Sequence, residues 1–116
     1  MSDVVDAVYI NEEEGKKRVM NNTKLYAKLL TKFKTDINLN DFLAFADAQD
    51  WENAQAAIHS IKGIAANLSL PELFLQSLDL ETQMKGARLK PESIDKYKSC
   101  FAETLIQVEK VVAKNA

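Results

Sequence analysis

The chain has 116 residues, enough for one domain around a single core. Its 47% hydrophobic and 28% charged content is that of a globular protein, and it excludes intrinsic disorder. A formal net charge of -2, with no basic stripe, argues against a nucleic-acid partner, and a lone cysteine, Cys100, excludes an internal disulfide and fits a reducing compartment.

The opening segment, MSDVVDAVYINEEEG, has neither a basic n-region nor a long apolar run. It reads as neither secretion signal nor membrane span, so a cytoplasmic protein is expected. Asn11 then caps a first helix, with Glu14 as its capping-box partner. Glu12, Glu13 and Glu14 precede Lys16, Lys17 and Arg18, which pairs acid with base at i,i+4. This helix ends near MNNT.

A second helix runs from about Thr23 to Lys34, with Leu25, Leu29 and Phe33 as its stripe and Tyr26 and Leu30 beside them. The chain breaks over Asp36 to Leu39. Asn40 caps a short helix carrying Phe42, Leu43, Phe45 and Ala46. Asp50 caps the next. Its stripe is Trp51, Ala54, Ile58, Ile61, Ala65 and Leu68, at alternating steps of three and four. Ser69 and Glu72 form a capping box for the following helix, with Pro71 in its first turn. That helix carries Leu73, Leu80 and Met84, flanked by Phe74 and Leu78, and ends at Gly86. Pro91 opens the last helix, with a seam of Ile94, Tyr97, Phe101, Leu105, Val108 and Val112.

No segment alternates with the period of a strand, and no repeat or linker divides the chain. The fold expected is therefore all-α: one domain over residues 1–116, an up-down-up-down four-helix bundle with short additional helices in its N-terminal part.

One stretch, AAIHSIKGIAANLSL, does not fit a purely structural reading. His59 is the only histidine, and Gly63 lies four residues on, inside a helix. A glycine there costs about 1 kcal/mol against alanine. At about 100° per residue, His59 points roughly 140° away from the centre of the apolar stripe. Its outward neighbours are Glu52, Gln55, Ala56, Lys62, Gly63 and Ala66, half of them alanine or glycine. Exposed helix faces ordinarily carry long polar residues. Lys62 reaches alongside the ring, and Gly63 removes the side chain that would flank it. Spacing alone leaves two readings: an incidental surface histidine, or a nucleophile presented to a large partner.

The motif HSIKG, followed by a small-residue stretch, resembles the signature of histidine phosphotransfer (HPt) domains. The resemblance extends to Ile10, Gly15, Arg18, Asn22, Leu25, Tyr26, Leu29, Leu30 and Phe33, to the pair Asp50–Trp51 before the histidine, and to the segment around Glu81. The family usually has glycine where this chain has Ser69; Asn67, tolerant of a left-handed backbone, and a Ser69 cap are expected to turn the chain instead.

The resemblance implies that His59 accepts a phosphoryl group from a receiver-domain aspartate and relays it. Lys62 would supply charge for the phosphoryl oxygens and disfavour imidazolium, and Gly63 would give access. Gln55, Ala56 and Ala66 would be docking surface. The implied partners are response-regulator receiver domains and a hybrid sensor histidine kinase, and the implied state is a monomer.

No cofactor is expected and no metal site. One histidine and one cysteine make no zinc site, no nucleotide loop is present, and the receiver would bring the metal and acidic groups. The chain is thus read as a phosphocarrier and not a self-sufficient enzyme. The alternative is a non-phosphorylated helical adaptor or scaffold that binds signalling partners. Glu81 either hydrogen-bonds near His59 or is a plain surface carboxylate. Cys100, beside Phe101, is read as a buried, inert thiol.

Overall fold

The computed structural model describes residues 8–37, 39–86 and 89–115. The reading of residues 1–7 as free of leader or anchor lies outside them. Six helices follow in order: α1 (Glu12–Arg18), α2 (Thr23–Asp36), α3 (Leu39–Asp47), α4 (Trp51–Leu68), α5 (Pro71–Lys85) and α6 (Pro91–Asn115). Among the described residues there is no strand, and no helix is long and apolar enough to cross a membrane.

Helices α2, α4, α5 and α6 make the expected bundle, with α1 and α3 as its short additions. Side-chain register gives the directions. Glu81 meets His59 and Lys62 across the α4–α5 turn. Ser77 meets Tyr97, and Gln83 meets Ser93, across the α5–α6 connection. Both pairs of helices are therefore antiparallel. The first turn of α2 lies at the C-terminal end of α4, where Tyr26 Oη donates to the Leu68 carbonyl at 2.8 Å. Tyr26, Leu30, Phe42, Ile58, Leu73, Leu80, Tyr97 and Val108 are all buried in one continuous core. Burying each of the larger side chains contributes about 1.5–3 kcal/mol.

The helix stripes shift from their expected centres in several places. On α2 the buried residues are Tyr26, Ala27, Leu30 and Phe33, while Leu25 is exposed. On α5 the interior face is Leu73, Ser77, Leu80, Glu81 and Met84, and Leu78 points outward. Trp51 is only half-buried. The α6 seam gains Cys100, Thr104 and Val111. Cys100 is buried, and burial pushes its thiol up to about 11, which keeps it protonated and inert.

Helix ends depart from the sequence reading in an instructive way. Asn11 caps α1 through a bond accepted from Glu14 N–H, but the return bond of a capping box is absent. Asn11 N–H donates to the Ser69 carbonyl instead. Glu14 accepts from Ser69 Oγ at 2.9 Å. Asn40 lies inside α3, which starts at Leu39, and α2 continues to Asp36. Ser69 does not cap α5; Leu70 holds that position without a side-chain bond. Asn67 stays helical, and Ser69 itself takes the left-handed conformation (φ 59°, ψ 56°).

Its N–H reaches Ala66 O and the Leu70 N–H reaches Ala65 O, which closes the last turn of α4 in the Schellman pattern. Met20 ends α1 and Gln49 ends α3 in the same way, both with positive φ. At each of these three ends a side chain occupies the position that glycine would occupy without strain.

Candidate functional site

Two helices build the site. Helix α4 is held in the bundle by Ala54, Ile58, Ile61, Ala65 and Leu68, all buried. That fixes His59, Lys62, Gly63 and Ala66 on its other side. Helix α5 lies antiparallel beside it and brings Glu81 up to the histidine.

His59 is 70% exposed in its side chain, whereas Glu81 is 5% exposed as a residue. His59 Nδ1 lies 2.9 Å from Glu81 Oε2, and Lys62 Nζ lies 2.5 Å from Glu81 Oε1. Each carboxylate oxygen thus has one partner from α4. The Lys62 ammonium, and then the histidine bond, hold the Glu81 carboxyl below the usual carboxylate range against the opposing effect of burial. An ionised carboxylate only accepts hydrogen bonds. The proton of a neutral imidazole therefore sits on Nδ1, and Nε2 carries the free lone pair. Among the described residues, Nε2 has no hydrogen-bond partner.

Lys62 differs from its expected posture. Its side chain is 20% exposed and, in the unphosphorylated chain, is paired with Glu81. Gly63 is exposed, and a Cβ placed there would meet nothing within 4 Å. Packing does not require this glycine. By contrast, a Cβ at Gly15 would collide with the Tyr26 ring.

The expected docking residues fall around the ring to different degrees. Ala56 is exposed, while Gln55 and Ala66 are half-buried. The sequence reading did not single out Leu75 and placed Leu78 beside the apolar stripe. Both are exposed on α5, at 56% and 41%. Leu75 and Phe74 join Ala66 in lining a groove of about 360 Å³. No group of three or more His, Cys, Asp or Glu among the described residues could hold a metal ion.

Glu81 is the residue that sequence reasoning left undecided. The signal was present: Leu73, Leu80 and Met84 define a face that also contains positions 77 and 81. A carboxylate at a core position needs partners, and His59 and Lys62 are those partners.

Neither a curated protein nor a solved structure matches the chain. A family model does: that of the Hpt domain, over residues 26–111, which runs from Tyr26 in α2 to Val111 in α6 and takes in His59, Lys62, Gly63 and Glu81. With most of the chain matched, and an exposed histidine carried by an all-helical bundle, the protein belongs to the Hpt domain family.

Proposed function

We propose that this chain is a phosphocarrier in which His59 Nε2 takes a phosphoryl group from the aspartyl phosphate of a receiver domain and passes it on. The observation that carries the reading is the His59–Glu81 bond, which commits Nδ1 to the protein and presents Nε2 to solvent.

In the transfer, the Nε2 lone pair forms an N–P bond while the acyl phosphate P–O bond breaks, and the receiver's carboxylate leaves with the electron pair. The ring proton stays on Nδ1. The phosphorylated ring then carries positive charge, and Glu81 lies against it. A cationic ring is also a good leaving group, so the same contact serves the return step. Lys62 keeps Glu81 ionised and its second oxygen occupied. The charged groups and metal ion needed around the moving phosphoryl group would come from the receiver.

Gly63 leaves a flat approach to Nε2. Ala56, Gln55, Ala66, Leu75 and Leu78 form the surrounding docking surface, where exposed apolar side chains support a protein partner. A hybrid sensor kinase and response regulators, through their receiver domains, are the partners this chemistry fits. A single copy of the chain suffices. An adaptor that binds without chemistry would use the apolar surface but would have no use for the His59–Glu81–Lys62 arrangement.

The test is transfer of acid-labile label from a phosphorylated receiver to the wild-type chain and to His59→Gln.

A further inference from the structure

Charge bookkeeping at the site leaves one cation without an assigned task. Among the described residues, the charged groups on this face are Glu52 and Lys62 from α4, and Glu81 and Lys85 from α5. Lys62 and Glu81 cancel, in contact and largely withdrawn from solvent. Glu52 is exposed and would repel a phosphoryl group. Lys85 is what remains.

It lies one helical turn beyond Glu81 at i,i+4, which puts it on the same side of α5 as the residue that meets His59. Because α4 and α5 are antiparallel, this turn runs alongside Gln55 and Ala56. A lysine side chain of four methylenes is long enough to cross one turn of helix, about 5.4 Å. Lys85 is exposed and makes no ion pair among the described residues. It is close enough to Glu81 that its charge is felt there.

We propose that Lys85 is the phosphoryl-binding cation of the phosphorylated state, whereas Lys62 serves Glu81 beneath the ring. The proposal rests on the phosphocarrier reading and divides between two lysines a task that the motif assigns to one. No ammonium need leave a buried partner when the phosphoryl group arrives. In the free protein Lys85 stays solvated, and it turns toward the dianion once the N–P bond has formed. An Arg at this position would do the same; a neutral side chain would not.

The phosphoryl group itself reports the contact. A nearby cation favours its dianion and lowers the pH at which its last proton leaves. The full chain would be phosphorylated with phosphoramidate, a small-molecule phosphoryl donor, and the phosphohistidine 31P shift followed against pH. For Lys85→Ala the midpoint should rise by about half a pH unit, the size expected of one solvated charge at a few ångströms. Lys85→Arg should restore it, and high salt should shrink the difference. Lys62→Ala should move it less than Lys85→Ala does. An unchanged midpoint in Lys85→Ala, or a larger shift in Lys62→Ala, overturns the proposal. A chain in which His59 takes no label contradicts the phosphoacceptor reading itself, a separate result that removes the ground of this one.

Discussion

Glu81 Oε2 of α5 lies 2.9 Å from His59 Nδ1 of α4, across 22 residues of chain. This contact joins the stability of the bundle to the state of its histidine, and pH exposes the link. Glu81 titrates below the ordinary value of 4.5 because the Lys62 ammonium, and then His59, favour its charged form.

Glu12 behaves similarly at the other end of the chain. Lys114 and Lys16 hold it down to about 2. A carboxyl with a depressed folded-state pKa contributes stability that is complete above the unfolded value and is lost as pH falls through the folded one. Thermal melts between pH 7 and pH 2 should therefore show stability falling below about 4.5 and dropping furthest toward 2. Glu81→Gln should lose about 2 kcal/mol at pH 7, the scale of a hydrogen bond to a charged group, and should fall less steeply in acid. A Glu81→Gln curve that runs parallel to wild type would show that the contact contributes nothing to the fold.

Gly63 separates access from stability. Nothing lies within 4 Å of a Cβ there, so Gly63→Ala should stabilise the protein by about 1 kcal/mol in urea denaturation. Gly63→Gln should be at least as stable as wild type yet transfer poorly, because a long side chain would stand between Nε2 and the receiver. Unchanged transfer in the glutamine variant would mean that the glycine does not serve access.

The left-handed helix ends differ from one another in what the side chain does. Gln49 has φ 57° and ends α3, so Gln49→Gly should gain about 1 kcal/mol by relieving the backbone. Ser69 adds a bond from its hydroxyl to Glu14. Ser69→Gly trades strain relief against that bond and should be near neutral, while Ser69→Ala keeps the strain and should cost about 1 kcal/mol. Chemical denaturation of the three variants checks the order; Ser69→Ala as stable as Ser69→Gly would refute this account of the turn.

Much of this protein is legible along the chain, and the reasons differ from residue to residue. The outward direction of His59 follows from the spacing of Ile58, Ile61, Ala65 and Leu68, because a buried helix face fixes the opposite one. The pairs Glu12–Lys16, Glu13–Lys17 and Glu14–Arg18 form as the i,i+4 rule requires. Ser69 misleads because a serine ahead of Pro71 and Glu72 looks like an N-cap, whereas the backbone there needs a positive φ to reverse the chain. Local sequence does not say which demand wins.

Leu78 and Glu81 are harder still. Which of two neighbouring stripes a helix buries depends on the neighbour it meets, and α5 turns Ser77 and Glu81 inward because Tyr97, His59 and Lys62 wait there. The assignment of Lys62 to the phosphoryl group came from the motif; its buried partner lies 19 residues away and is visible only in three dimensions.

The most direct measurement is phosphotransfer to one atom. A phosphorylated receiver domain is mixed with the wild-type chain and with His59→Gln, and the label on each is followed through acid and alkali. The account predicts alkali-stable, acid-labile label on the wild type, reversible on adding unphosphorylated receiver, and none on His59→Gln. Label that persists on the glutamine variant, or a wild type that takes none from its cognate receivers, would contradict it.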